Sequence, residues 1–298
     1  ANHTLLGYGY SYTLTPLPSG NFLIVDPDAK VGTQSYVGAV TWIDGSHESS
    51  GTFNPANSLV GSSLGDFVGS KVLVLSNGNY VILGSGTVAE SSTWANGTTG
   101  IRGVVSDQNS LICSAYPATH NAFALSDGSY VVTTTGYRSE AGETHLGAAT
   151  WCDGTTGRTG RVNPSNSLIG KPSDEIGKAG VIPLANGNYV VLSNLWRNGG
   201  GIQVGASTWC SGGGVTSGVV SANNSLVGAL AGDSDTMTGV ALPNGSYLVV
   251  RPKCDNGTLQ DTGAVTWCPG DAAYSAVVGV ANSLIGSDRQ SLGATEAF

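Results

Sequence analysis

The chain of 298 residues contains 45 glycines, has only 11% charged residues and carries a formal net charge of -8. Its twelve lysines and arginines form no cluster, so there is no electrostatic footprint for a polyanion and nucleic acid is set aside as a partner. No run approaches the ~18 apolar residues that a membrane-spanning helix needs, and this much glycine fits many short strands joined by tight turns.

The first element, Asn2-His3-Thr4-Leu5-Leu6-Gly7, resembles a motif that later recurs in full. After it comes an alternating segment, Thr15-Pro16-Leu17, with counterparts Leu73-Val74-Leu75, Phe123-Ala124-Leu125, Ile182-Pro183-Leu184 and Val240-Ala241-Leu242. Alternation predicts a strand with one buried face, and the prolines at 16 and 183 predict that it is an edge strand, where a missing N–H is tolerated. A turn follows, Asn-Gly or Asp-Gly in four of five copies, which is a strong hairpin signal. Beyond it stand Leu23-Ile24-Val25, Val81-Ile82-Leu83, Val131-Val132-Thr133, Val190-Val191-Leu192 and Leu248-Val249-Val250, apolar runs that predict a central strand covered on both faces.

The third predicted strand has small residues and then a Thr-Trp pair, at Trp42, Trp94, Trp151, Trp209 and Trp267. Small side chains let a neighbouring sheet approach, and the indole fills the space beyond them. A Trp-x-[Asp/Asn/Ser/Pro]-Gly turn ends it, supplying Asp44, Asn96, Asp153, Ser211 and Pro269. Val104-Val105, Val162, Val219-Val220 and Val277-Val278 predict a fourth strand in the same unit, ahead of the Asn-Ser-Leu motifs that begin at Asn57, Asn109, Asn166, Asn224 and Asn282.

Copies spaced by 50 to 59 residues and running end to end make a repeat array whose units bury their apolar faces only against one another. Four strands per unit, with an edge strand first, predict an all-β fold: a five-bladed β-propeller of four antiparallel strands per blade. It forms a single domain over 1–298, with the ring closed between the N- and C-terminal segments and the proline-bearing strand lining the channel. The alternative is an open β-solenoid, whose coils are shorter and need polar caps.

Each repeated residue has a packing reading and a binding reading. The five tryptophans pack between units, or they offer flat apolar faces to the C–H groups of a sugar while Asp44, Asn96 and Asp153 take its hydroxyls; the same aspartates and asparagine also suit ordinary Asx turns. Trp196-Arg197-Asn198-Gly199, matched only at Cys254-Asp255-Asn256-Gly257, adds an exposed-looking Trp196 with Asn198 as a further sugar contact. Asp66, Asp174, Asp233 and Asp288 after the Asn-Ser-Leu motifs cap turns or ligate calcium, but fall short of a calcium loop, so no metal and no cofactor are expected. The second unit departs from the pattern and brings His120, His145, Arg138, Glu140 and Glu143, with Glu143 and His145 expected on one strand face. No nucleophile–base grouping stands out, so no catalytic residue is assigned and the chain is expected not to be an enzyme.

Five cysteines, three of them directly after the repeated tryptophans, leave disulfide partners unassigned. Sequons begin at Asn2, Asn96, Asn223, Asn244 and Asn256, although Asn-Gly-Ser/Thr is also good turn chemistry. With Met237 the only methionine, the chain reads as one from which a leader was removed or omitted, and secretion or cell-surface display is expected.

The succession Gly-Ala-Val/Ser-Thr-Trp, Gly-x-Val, Asn-Ser-Leu-Val/Ile-Gly, Asp-x-Val-Gly and Asn-Gly-Asn-Tyr-Val-Val, best kept in residues 37–83 and 146–286, resembles tandem repeats of bacterial filamentous-haemagglutinin-like surface proteins. That resemblance implies a secreted or surface-displayed adhesive role. In architecture alone the chain is similar to five-bladed propeller lectins of the tachylectin type. The leading expectation is therefore a multivalent lectin that binds glycans or glycoproteins through weak repeated sites, with no membrane insertion. A structural or adhesive repeat module without sugar binding is the alternative, and a glycan-active enzyme using His120, His145 or Glu143 is the third.

Overall fold

The computed structural model describes residues 4–6, 12–47, 50–86, 89–115, 119–288 and 292, with backbone only at 4–6. Among these every regular element is a strand, and no helix is long and apolar enough to cross a membrane. The strands form five sheets, one from each repeat, and a separate two-stranded pair. By contact density the chain divides into two compact units. One comprises Ala1–Ala124, Gly128–Val132 and Cys152–Val162; the other comprises Leu125–Asp127, Thr133–Trp151 and Asn163–Phe298.

In the first unit, the Asn-Gly and Asp-Gly turns fold each edge strand onto its central strand. Thr13–Pro16 pairs antiparallel with Phe22–Asp26, and Val68–Val74 with Tyr80–Ser85. The central strands then pair with Ala39–Ile43 and Ala89–Ala95, placing Leu23 opposite Trp42 and Val81 opposite Trp94. As expected, the alternating segment is the sheet edge in every repeat, and the central runs are buried almost throughout. Leu23, Val25, Leu59, Tyr80 and Ile82 form one core between the first two repeats, with Trp42 packed against it. The second unit repeats this: Val190, Leu192, Leu226, Tyr247 and Val249 form a core against which Trp209 packs.

The expected four-stranded blade is corrected in two ways. Its fourth strand is the Asn-Ser-Leu motif itself, since Leu59–Val60 pairs antiparallel with Ala39–Ile43, and Leu226–Val227 with Ala206–Cys210. The valine segments expected in that place are donated backwards. Gly103–Val104 pairs parallel with Leu59–Val60 of the preceding repeat, Gly160–Arg161 with Leu111–Ser114, Gly218–Val219 with Leu168–Ile169, and Ala276–Val277 with Leu226–Val227. Four sheets thereby have five strands, and the fifth repeat's sheet has four.

The physical reason is a hydroxyl staple. Thr of each Thr-Trp pair meets Ser of the same repeat's Asn-Ser-Leu motif: Thr41–Ser58 at 2.5 Å, Thr93–Ser110 at 2.6 Å, Thr150–Ser167 at 2.7 Å, Thr208–Ser225 at 2.8 Å and Thr266–Ser283 at 2.7 Å. Each Ser hydroxyl donates onward to the Oδ1 of its preceding Asn, as in Ser58 to Asn57 at 2.7 Å and Ser225 to Asn224 at 2.9 Å. Threonine must then be the donor to serine. The same Asn oxygen takes a backbone N–H three residues earlier, as in Ser221 to Asn224 at 2.8 Å. This buried chain leaves no polar group idle and reserves the place beside the Trp strand for the Leu strand.

The expected closure of a ring between the terminal segments is not found among the described residues. Thr4–Leu6 pairs parallel with Ser50–Thr52, which is the pairing that Leu59–Val60 offers to Gly103–Val104. The N-terminal partial motif thus serves the first repeat as a preceding Leu strand would, although Asn2, His3 and Gly7 lie outside the described residues. At the other end, among the described residues, Leu284–Ile285 pairs only with Ala264–Cys268, and Leu284 is 73% exposed.

Candidate functional site

The recurrent tryptophan is held between repeats. The indole N–H of Trp42 donates to the Gly97 carbonyl at 3.1 Å, that of Trp94 to Gly154 at 2.9 Å and that of Trp209 to Gly270 at 2.9 Å. Each acceptor is the glycine of the following repeat's Trp-x-Asx-Gly or Trp-x-Pro-Gly turn. The hairpin-turn asparagines converge on the same oxygens, Asn77 and Asn79 on Gly154 at 2.8 and 2.9 Å, Asn186 and Asn188 on Gly270 at 2.8 Å each. A second glycine lies against the ring: a Cβ at Gly100 would sit 2.5 Å from Trp42 Cβ, and one at Gly157 2.5 Å from Trp94 Cβ. Trp42, Trp94, Trp151 and Trp209 are half-buried, whereas Trp267 of the fifth repeat is 55% exposed.

Asp44, Asn96 and Asp153 spend their oxygens on their own turns. Asp44 Oδ1 accepts from the Ser46 N–H at 2.9 Å and hydroxyl at 2.6 Å, Asn96 Oδ1 from the Thr98 hydroxyl at 2.6 Å, and Asp153 Oδ1 from the Thr155 hydroxyl at 2.5 Å. The hydroxyl and N–H of Ser46, joined by His47, hold the Asp44 pKa down at about 2, and Thr155 lowers that of Asp153 in the same way.

Trp196 is buried, at 5% exposure, and not exposed as its sequence context implied. Its backbone carbonyl accepts from Val204 N–H, just as Ala29 accepts from Val37, Tyr137 from Leu146 and Cys254 from Gly263. One interior position of the repeat therefore holds Ala, Tyr, Trp or Cys, and no residue-type signal reveals it. The indole N–H donates to Val220 at 3.3 Å, and Asn198 Oδ1 accepts from Gly200 and Ile202. The match of residues 196–197 with 254–255 holds, for Arg197 N–H donates to Asp174 Oδ1 at 3.0 Å and Asp255 N–H to Asp233 Oδ1 at 3.1 Å.

Asp66, Asp174 and Asp233 cap their turns, accepting backbone N–H groups from Ser62, Lys171 and Leu230 at 2.7 to 2.8 Å. Among the described residues no group of three His, Cys, Asp or Glu side chains is placed to hold a metal ion. Glu143 and His145 do not share a strand face, because 143–145 are outside any strand. His145 has φ 56° with Nδ1 3.8 Å from Glu175, and Glu143 hydrogen-bonds with Ser139. His120 is buried with Nε2 3.1 Å from the Ser91 carbonyl. All five cysteines are buried, and burial pushes Cys152, Cys210 and Cys254 up to about 12.

Four of the expected sugar contacts line two clefts. Trp94 and Asn96 border one of about 260 Å³ with Asn109 and Arg158. Trp196 and Asn198 border one of about 530 Å³ with Lys171 and Arg197. A third cleft, of about 300 Å³, contains a residue that the sequence reading passed over, Glu90. Its signal was visible: it stands four residues before Trp94, where the other repeats have Gly38, Gly147, Gly205 and Gly263.

No curated protein matches the chain. Among solved structures, an exo-beta-1,3-galactanase from Clostridium thermocellum is similar at 9% identity and a TM-score of 0.29, covering 87% of this chain and 58% of that one. This chain therefore spans less than two thirds of that protein, and a likeness of this strength carries no argument about either molecule. The family model described as "Repeat of unknown function (DUF5650)" matches five times, at residues 16–70, 74–118, 124–178, 183–236 and 241–293. Those boundaries coincide with the five repeats, and the chain belongs to the DUF5650 repeat family.

Proposed function

We propose that the chain is a non-enzymatic structural and adhesive repeat module, secreted or displayed at a cell surface, in which Trp42, Trp94 and Trp209 each fasten their repeat to the next. The observation that carries this reading is the contrast among the indoles. Trp42, Trp94 and Trp209 donate to a glycine carbonyl of the following repeat, while Trp267 is 55% exposed. In this reading the fifth repeat presents to a further repeat of the same kind the face that the earlier ones have already buried. Its experiment is the paired replacement of Trp209 and Trp267, where a loss of stability at Trp209 alone supports it.

A second reading, multivalent glycan binding, is favoured by the two clefts that contain Trp94 with Asn96 and Trp196 with Asn198. Several weak sites on one array would act through avidity on a glycan-coated surface. Red-cell agglutination and a glycan array test it. A positive result abolished by Asn96→Ala without a change in melting temperature would replace the first reading, and a negative result in both removes the second.

A further inference from the structure

At Gly38, Gly147 and Gly263 a Cβ would overlap the backbone of Val68, Ile176 and Leu292, and at Gly205 the side chain of Ser234; all four glycines have positive φ. Glu90 takes this place in the second repeat. Its strand pairs with Leu111–Ser114 for two positions more than the equivalent strands of the first repeat, with Cys113 opposite Glu90. The carboxyl is thereby carried inside: Glu90 is 2% exposed, and its Oε2 has no hydrogen-bond partner among the described residues. Burial holds this group protonated near neutrality, with a pKa raised to about 8 against the opposing pull of Lys71.

The cleft beside it is acidic. Asp66 lies on its wall with Oδ2 tied to Ser62 and Ser63, and Asp107 faces Arg161 at 3.4 Å, so these three charges sum to one negative before Glu90 ionises. The Lys71 ammonium is committed to the His120 carbonyl and Asn121. A buried carboxyl oxygen without a hydrogen-bond partner is a standing free-energy cost, and the cation on the described lining, Arg161, is paired with Asp107. Among the described residues the lining has no aromatic platform for a neutral sugar, and the Arg161 guanidinium opposes a divalent ion. Val105 and Ile112 supply an apolar wall.

We infer that the Glu90 cleft binds a small organic ammonium ion, whose N–H groups donate to the Glu90 carboxylate and whose carbon skeleton lies against Val105 and Ile112. On binding, Glu90 gives its proton to solvent and the ammonium keeps its own, so charge balances within the site. This inference stands apart from the role of the tryptophans.

The test is calorimetric titration of the whole chain at pH 7 in two buffers of different ionisation heat, with n-propylammonium and glucosamine as probes and glucose, potassium and calcium as controls. Saturable binding of both ammonium probes with release of up to one proton is expected. Glu90→Gln, which mimics the neutral acid, should weaken binding at least about tenfold and abolish proton release while remaining folded at pH 8. Arg161→Gln, which removes the competing cation, should tighten binding. No saturable binding by either probe, binding unchanged in Glu90→Gln, or equal binding by glucose or calcium would overturn the inference.

Discussion

Replacing Trp209 and Trp267 separately by alanine compares one residue type at one register position, with and without a neighbour. Trp209 loses an indole packed against the core of the last two repeats and a 2.9 Å hydrogen bond to Gly270. A fully buried Trp→Ala change costs about 3–5 kcal/mol, and a half-buried ring with one hydrogen bond scales this to about 2–3 kcal/mol. For a chain of this size that is a fall in Tm of about 3–5 °C. Trp267 is 55% exposed and should lie within about 0.5 kcal/mol of the parent. Trp209→Phe should lose about 1 kcal/mol or less, since the ring stays and Gly270 keeps the Asn186 and Asn188 amides. Differential scanning calorimetry reads all three variants. Equal losses at Trp209 and Trp267 would refute the reasoning, because among the described residues only Trp209 bonds to a glycine of a following repeat.

Thr208→Val keeps the side-chain shape and removes the donor to Ser225; it should cost about 1–2 kcal/mol in urea denaturation, and no loss would show the staple to be incidental. Stability should depend on pH through two buried groups of opposite sense. Glu90, raised to about 8, keeps in the folded state a proton that the unfolded chain releases from about pH 4.5, so stability falls as pH rises from there to 8. His120, lowered to about 4 chiefly by burial, stays neutral in the folded state while the unfolded chain takes a proton below about 6.5, so stability falls as pH drops from 6.5 to 4. The two slopes offset between about 4.5 and 6.5, and Glu90→Gln should remove the decline from about 6.5 to 8 and leave the His120 slope unopposed below about 6.5; a decline above about 6.5 that persists in Glu90→Gln assigns it elsewhere. The buried thiols should react with Ellman's reagent at pH 8 only after denaturation, and a rapidly labelled cysteine in the native protein would contradict their burial.

Much of each sheet was legible because local chemistry dictates it. Gly78 and its equivalents take positive φ in a tight hairpin, and Val81-Ile82-Leu83 can only be a strand covered on both sides. Pro16 and Pro183 correctly marked an edge. Strand donation was not legible, because a Val-Val pair carries nothing that says which sheet's edge it will join. The choice is made by the Thr–Ser hydroxyl pair 17 residues apart, which fills the place in the home sheet first. Trp196 misled because its position holds Ala29, Tyr137 and Cys254 elsewhere, so a core site looked like an insertion. Glu90 was the reverse case: its departure from glycine was in plain view, but its meaning depended on burial.

Amide hydrogen exchange in Trp209→Ala tests most directly whether the indole fastens one repeat to the next. The account predicts that protection falls in the fifth repeat's donated strand, where Val278 N–H bonds to Val227 O at 2.9 Å, while the counterpart bond from Val105 to Val60 keeps its protection. Equal loss at both places, or unchanged protection at Val278, would contradict it.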